Sequence, residues 1–222
     1  MEYEVRFYYA KTELEELMKK LSNEEELTKG LRTYEKTVQF NHSDPTYNFY
    51  SQEIDGRFRV RISSNDDKTK CKLSWKRRLK DTTETNINKE EEKEVTINPE
   101  DIDNFMFIVN NVMHYKVVES YERYRTIFTN DDIEISVDEY PFGIALEIEN
   151  KSIKKDPEET VKYWVEKLGL SFSDSYRLSW DDKYLELCKE QNVEAYSEVT
   201  FDKKCLLLEG KKNSGEEFFT AF

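Results

Sequence analysis

The chain has 222 residues, of which 36% are charged and 14% aromatic, and its formal net charge is −13. An acidic protein lacks the positive field that duplex nucleic acid and anionic membranes require, so neither is an expected partner. The aromatic content argues against a disordered chain, and the length suits one domain with a full core.

The cysteines and histidines argue against further classes of site. Cys71, Cys188 and Cys205 have no CxxC spacing, which indicates neither a zinc site nor a disulfide framework. They are expected to be reduced thiols in a cytoplasmic compartment, since no apolar segment resembles a signal peptide or a membrane span. With only His42 and His114 in the chain, a histidine triad or histidine metal cluster is not expected.

The first strand and the first helix are predicted from two different periodicities. Residues 2–9 alternate in polarity, which is typical of a strand, and one face carries three charged side chains: Glu2, Glu4 and Arg6. Thr12 and Glu15 have the spacing of a capping box, and apolar residues at helical intervals follow. A helix is therefore predicted to begin after Thr12.

The middle of the chain is predicted to form strands whose charges are sorted by sign. Strands over 34–40 and 47–52 flank a turn at Asp44-Pro45, and three more strands follow. One face of each of these three strands carries one kind of charge: Arg57, Arg59 and Arg61, then Lys70, Lys72, Lys76 and Arg78, then Glu90, Glu92 and Glu94.

The second half mixes helices and strands. Asn98-Pro99 predicts a helix start, and further helices are expected from Asp156-Pro157 to Gly169 and over 181–191. Three strands between the helix that starts at Asn98 and the helix that starts at Asp156 carry polar residues on one face: Tyr121, Arg123 and Arg125, then Glu134, Ser136 and Asp138, then Glu147 and Glu149. The apolar run Leu206-Leu207-Leu208 predicts a last strand or a packing arm.

This order of elements predicts a mainly antiparallel α+β fold in a single domain over residues 1–222. Residues two apart on a strand share one face. If the sheet closes into a barrel with the sorted charges inside, its interior is a polar tunnel with carboxylates for a divalent metal and cations for phosphate oxygens. The alternative is that the charges form solvated strand faces with many ion pairs.

Four motifs together resemble the CYTH superfamily, the triphosphate tunnel metalloenzymes. They are the opening ExExR strand, the RxR strand, the KxSxK strand and the run DEYPFGIALEIE that ends at Glu149, and they occur in the family's order over residues 1–170. The resemblance implies an eight-stranded antiparallel barrel with helices packed outside. Arg6 departs from the family's usual ExExK, and the region after Gly169 is expected to be a packing extension over the tunnel.

The resemblance also implies a site for Mg²⁺ or Mn²⁺ and a triphosphate. The implied metal-side carboxylates are Glu2, Glu4, Glu147 and Glu149, with Asp138 in support, and Glu92 and Glu94 fit the middle acidic strand. The implied triphosphate-binding cations are Arg6, Arg59, Arg61, Lys76, Arg123 and Arg125, with Lys72 and Arg78 as further candidates. The expected catalytic residues are Lys76, Glu4 and Glu149, where Lys76 either activates water through a lowered pKa or contacts phosphate.

Three functions are compatible with this pattern. The first is metal-dependent hydrolysis of tripolyphosphate, of a nucleoside or thiamine triphosphate, or of the 5′-triphosphate end of RNA. The second is a class IV adenylyl cyclase, which converts ATP to cyclic AMP and pyrophosphate. The third is a binding module that captures triphosphates or polyphosphate without turnover. The protein is expected to be a monomer or a homodimer.

Overall fold

The structure is a computed structural model that describes residues 1–51, 53–66, 68–80 and 86–209. The end of the predicted strand 47–52, at Gln52, and the last part of the predicted extension, residues 210–222, lie outside the described residues. No helix among the described residues is both long and apolar enough to cross a membrane.

Eight antiparallel strands close into a barrel, which confirms the predicted fold class. The strands are β1 (Glu2–Tyr9), β3 (Thr33–His42), β4 (Gly56–Ser64), β5 (Thr69–Arg78), β6 (Asn88–Ile97), β7 (Tyr115–Thr129), β8 (Ile133–Glu139) and β9 (Ile144–Asn150). Their order in the sheet is β7-β3-β4-β5-β6-β1-β9-β8, and β8 pairs with β7 to close it. Two short strands, β2 (Thr28–Lys29) and β10 (Glu198–Val199), also pair with β7.

Four α-helices lie outside the barrel: α1 (Leu14–Ser22), α2 (Ile102–Phe107), α3 (Pro157–Lys167) and α4 (Trp180–Glu190). Helices α1 and α3 cover the outward face of β1, β8 and β9, where Leu21, Val161 and Val165 pack into the largest apolar cluster. Helix α2 continues as a π-helical turn over Ile108–Val112 and covers β4 and β5.

Alternation along the strands separates the apolar residues from the charged ones. On β1, Val5 and Phe7 point outward into the apolar core under the helices, so Glu4 and Arg6 point into the barrel. The register places Glu4 beside Glu149 and Arg6 beside Glu147 on β9. Because the helices bury the apolar faces, the charged faces are left to line the interior.

Most predicted helix ends agree with the structure. The side chains of Asn98 and Asp156 accept hydrogen bonds from Glu100 N and Glu159 N at the starts of their helical segments. Gly169 follows α3 with a φ of +59°, the left-handed region in which glycine pays no Cβ penalty.

Two boundary predictions are wrong. The first helical turn begins at Lys11, before α1, because Glu13 Oε2 accepts a hydrogen bond from Ala10 N at 2.8 Å; the cap is therefore not made by Thr12 and Glu15. The segment from Tyr47 to Ser51 is not a strand. Asp44 instead caps a 3₁₀ turn over Pro45–Tyr47, and a loop follows.

The chain after α3 packs against the barrel. Helix α4 occupies 180–190, one residue earlier than predicted. Leu206 and Leu208 pack against an apolar cluster that includes Tyr121 and Phe142, and Leu208 N donates to Phe142 O at 2.8 Å. Of the two alternatives for this apolar run, the structure shows the packing arm.

Candidate functional site

The inward faces of the barrel strands line a cavity of about 440 Å³. Twelve Lys or Arg residues and eight Glu residues line it among the residues that the structure describes. The excess of cations is opposite in sign to the net charge of the whole chain, −13. The barrel therefore concentrates a local positive field in which an anion can bind.

Lys76 lies at the centre of a cluster of three glutamates. Its Nζ atom is 2.7 Å from Glu90 Oε2, 2.8 Å from Glu4 Oε2 and 3.1 Å from Glu2 Oε2. Burial favours the neutral amine, but the negative charges of Glu4, Glu147 and Glu2 outweigh burial and raise the pKa of Lys76. The expected lowered pKa of Lys76 is therefore wrong for this arrangement, because its nearest neighbours are carboxylates rather than cations.

The same three glutamates fit a divalent cation. One carboxylate oxygen from each of Glu2, Glu4 and Glu90 lies within 4.8 Å of the others. The Oε2 atoms of Glu2 and Glu90 are buried, and both lie within ion-pair distance of the single ammonium of Lys76. Clustered carboxylate oxygens are the ligands that Mg²⁺ and Mn²⁺ prefer.

Glu90 was not among the residues selected from the sequence. It belongs to the predicted acidic series with Glu92 and Glu94, and the pairing of β1 with β6 places it directly opposite Glu2. Sequence periodicity identified its face, but only the register between the two strands could single it out from its neighbours.

Burial and neighbouring groups shift the pKa values of several carboxyl groups on this wall. Burial and a hydrogen bond with Glu92 raise the pKa of Glu2. Burial would also raise the pKa of Glu92, but Glu2, Lys76 and Arg59 outweigh it and lower that pKa. Burial raises the pKa of Glu149 despite the Lys151 ammonium 2.5 Å away. Burial and crowding on this wall therefore oppose ionised carboxylates that have no cation against them.

Arg6 pairs with Glu147 beside the cluster around Lys76. Arg6 Nη2 donates to Glu147 Oε2 at 2.6 Å and to Glu4 Oε1 at 2.9 Å. Burial would raise the pKa of Glu147, but the charges of Arg6 and Arg125 outweigh it and hold that pKa well below its usual range. Glu147 is therefore ionised and already carries a guanidinium partner.

Asp138 holds two arginines in place. Its Oδ1 accepts from Arg125 Nε at 2.6 Å, and its Oδ2 accepts from Arg123 Nη1 at 2.7 Å. Arg123 Nε also donates to Glu35 at 2.7 Å. The structure thus shows Asp138 positioning arginines, while its role as a metal ligand stays a prediction.

Arg59 and Arg61 on β4 have weaker partners. Arg59 Nη2 donates to Glu92 at 3.2 Å, and Arg61 Nε donates to Thr37 Oγ1 at 3.3 Å. Burial and the neighbouring charge of Arg123 lower the pKa of Arg61. A buried guanidinium beside other cations is a site where an anion gains most.

The residues predicted on β5 lie at different depths. Lys72 is half exposed and pairs with Glu94 at 2.6 Å near one end of the barrel. Arg78 lies at the other end and pairs with Asp55 at 3.0 Å. Arg57, which the sequence placed on the basic face without selecting it, lies at the same end as Arg78 and lines the cavity.

The chain that leads into α4 covers this end of the barrel. Arg57 Nη2 donates to Ser179 Oγ at 2.9 Å, and Arg6 Nη1 donates to Leu178 O at 3.2 Å. The Trp180 ring centroid lies 4.3 Å from that of Tyr121, and both Ser179 and Trp180 line the cavity. The region after Gly169 therefore forms part of the site, which its sequence did not indicate.

Comparisons with solved structures show the same fold. The PH1819 protein from Pyrococcus horikoshii superposes with a TM-score of 0.65 at 23% identity, over 84% of this chain and 99% of that one. A candidate adenylyl cyclase from Hippeastrum with a dominant triphosphatase activity superposes with a TM-score of 0.57 at 15% identity, over 89% and 99%. A candidate adenylate cyclase from Vibrio parahaemolyticus gives 0.56 at 16% identity, over 81% and 96%.

These likenesses confirm the closed antiparallel barrel fold that the sequence motifs indicated. No protein-family model matches the sequence, and no curated protein matches it.

Proposed function

We propose that this chain is a divalent-metal-dependent hydrolase of a triphosphate, of the CYTH type. The observation that carries the proposal is the cation-lined barrel cavity inside an acidic protein, with three converging glutamates on one wall. Twelve lining cations stand against eight lining glutamates, an excess that water or a neutral ligand would not balance. A compact polyanion with several phosphoryl groups satisfies them together.

The arginines bind and orient the phosphate chain. Arg6, Arg123 and Arg125 are held by carboxylates on neighbouring strands, so their guanidinium groups are ordered before the ligand arrives. Ordered donors stabilise the charge that develops on the phosphoryl oxygens without reorganising at the moment of reaction. The carboxylates around Lys76 raise its pKa in the metal-free protein, which favours a role as a donor to phosphate oxygens over a role as a base.

A cation held by Glu2, Glu4 and Glu90 would neutralise phosphoryl charge and lower the pKa of a bound water. Because Lys76 Nζ lies between these carboxylates, a bound cation would compete with it for their oxygens. We therefore expect Lys76 to shift toward the phosphate when the cation binds.

An adenylyl cyclase is the second candidate, because the Hippeastrum and Vibrio structures share this fold under that candidate name. Cyclisation of ATP needs room for adenosine beside the triphosphate. The aromatic residues that line the covered end pack on one another: the Trp180 ring is 4.3 Å from Tyr121 and stacks at 6.1 Å on Tyr140. Hydrolysis of a small or linear triphosphate needs no such pocket, and this favours the hydrolase.

Product identification tests the proposal. The protein is incubated with ATP, tripolyphosphate or triphosphate-ended RNA, each with Mg²⁺ or Mn²⁺. Release of orthophosphate is expected, and Glu90→Gln is expected to lower it strongly while circular dichroism shows a retained fold. Cyclic AMP with pyrophosphate would identify the cyclase. Tight metal-dependent binding without any product would identify a binding module.

A further inference from the structure

The two ends of the tunnel differ. The end near Arg57 is covered by the segment that contains Ser179 and Trp180. The opposite end is formed in part by the hairpin between β4 and β5, where Ser63 pairs with Lys70. Lys70 is six residues from Lys76 along β5, which corresponds to about 20 Å at about 3.3 Å per residue.

Two lysines at this second end differ from the other cations of the lining. Ten of the twelve lining cations have a carboxylate oxygen at 3.7 Å or closer. Lys68 and Lys70 line the same cavity, and within the described residues no ion pair involves either of them. The chain has 47 acidic residues and 34 basic ones, so a shortage of carboxylates does not explain why no described residue pairs with either lysine.

The position of these lysines indicates which part of a bound substrate would lie beside them. Because one end is covered, a substrate whose terminal phosphoryl groups reach Lys76 and Arg6 has its remainder at the end that carries Lys68 and Lys70. The other described lining residues near this end are polar, aliphatic or charged, such as Thr33, and offer no aromatic ring for stacking a base. Two lysines without an aromatic surface can bind further phosphate groups of the substrate but cannot stack a nucleobase.

We propose that Lys68 and Lys70 form an outer anion site and that the substrate is a linear polyphosphate longer than three phosphoryl groups. This rests on the proposed hydrolase function and adds its substrate class. Water attacks the terminal phosphorus inside the tunnel, and the bridging P–O bond breaks. The products are orthophosphate and a chain shortened by one phosphoryl group, which keeps the bridging oxygen.

The test compares substrates of different length on a double variant. In Lys68→Ala/Lys70→Ala, kcat/KM for size-fractionated long polyphosphate is expected to fall about 5- to 20-fold more than kcat/KM for tripolyphosphate, since each exposed ion pair contributes modestly. The excess loss should shrink at high ionic strength, because exposed charges are screened. The matched control is Lys19→Ala/Lys20→Ala on the exposed side of α1, for which no change is expected.

The charge-retaining variant Lys68→Arg/Lys70→Arg is expected to keep the preference for the long chain. Equal losses on both substrates, or no loss on either, would overturn the outer site. An excess loss confined to triphosphate-ended RNA would overturn it in favour of an RNA substrate.

A binding measurement tests the outer site even if the protein does not hydrolyse any of the substrates. If no substrate yields phosphate, the affinities of long polyphosphate and tripolyphosphate are measured by calorimetry on the native chain and on the double variant. A selective loss of long-chain affinity still supports the outer site as a binding site, and an unchanged affinity ratio overturns it.

Discussion

The deep cations of the tunnel are held by carboxylates before any ligand binds. Arg6 is held by Glu147 at 2.6 Å, and Lys76 by Glu90 at 2.7 Å. Phosphate binding is therefore an exchange of partners rather than the pairing of free charges. Buried ion pairs contribute little net stability, but removal of one member leaves an uncompensated charge. The site can be probed by removing one member at a time.

Lys76→Ala should destabilise the metal-free protein by about 3–5 kcal/mol, because Glu2, Glu4 and Glu90 lose their shared cation. Mn²⁺ should restore part of that loss, since it can occupy the same cluster of oxygens. Urea unfolding with and without Mn²⁺ measures both effects. Lys72→Ala is the control, because its half-exposed pair with Glu94 contributes at most about 1 kcal/mol. Equal effects of Mn²⁺ on the two variants would contradict a cation site at Glu2, Glu4 and Glu90.

Arg59→Ala and Arg123→Ala should separate binding from stability. Arg123 is buried between Glu35 and Asp138, so its loss should cost about 3 kcal/mol of unfolding free energy. Arg59 has longer contacts, to Ser74 and Glu92, so its loss should lower the unfolding free energy by only about 1 kcal/mol. Arg59→Ala should nevertheless weaken tripolyphosphate binding at least as much as Arg123→Ala does. Calorimetric binding and urea unfolding of both variants give the comparison. The distinction fails if Arg59→Ala loses as much stability as Arg123→Ala.

At the scale of elements, hydrogen bonds from Tyr50 to Glu119 and to Asp181 hold the start of α4 over the tunnel end. The Tyr50 hydroxyl lies 2.5 Å from Glu119 Oε1 and 2.7 Å from Asp181 Oδ2. One hydroxyl proton can serve only one of these carboxylates, so the other contact needs a proton on a carboxyl group. Burial, followed by the charge of Asp181, raises the pKa of Glu119 to about 8. Glu119 is therefore the carboxyl that keeps the proton.

This proton makes stability depend on pH. Between the ordinary pKa of 4.5 and the folded pKa of about 8, the folded state binds a proton that the unfolded state has released. Stability should therefore fall as pH rises through this window, by on the order of a few kcal/mol, and level off above it. Glu119→Gln should make the fall measured by urea unfolding across the window shallower, while the raised pKa of Glu2 keeps part of it. A slope identical to that of the native chain would show that another group is responsible.

At the scale of the whole molecule, the barrel separates charge by location. The chain is acidic overall, at −13, yet twelve cations among the described residues line the tunnel. The acidic exterior limits non-specific polyanion binding, while the interior attracts an anion that fits. A ligand that binds the folded tunnel and not the unfolded chain stabilises the fold by linkage.

Ligand binding should therefore raise the melting temperature. Tripolyphosphate with Mg²⁺ at about 100 times its Kd should add about 2.7 kcal/mol, or roughly 5–10 °C for a chain of this length. Scanning calorimetry with tripolyphosphate, with Mg²⁺ and with both together separates the contributions. Sulfate at equal ionic strength is the control for general anion effects. An unchanged melting temperature with both ligands would contradict the tunnel site.

The sequence by itself determined the fold class and the inward face of most strands. Alternation on β1, β4 and β5 is a local property, because successive side chains of a strand must point to opposite sides. The caps at Asn98 and Asp156 are equally local, since a side chain satisfies a backbone group two or three residues away. Such features need no knowledge of distant segments.

The tertiary structure alone decided which charged residues meet. Glu90 joins Glu2 and Glu4 only through the register of β6 against β1. The surroundings of Lys76, and thus the direction of its pKa shift, come from other strands. The covering of one tunnel end by Trp180 depends on how a helix far along the chain packs against the barrel. Register and docking follow from long-range packing free energy, which the local pattern of side chains does not contain.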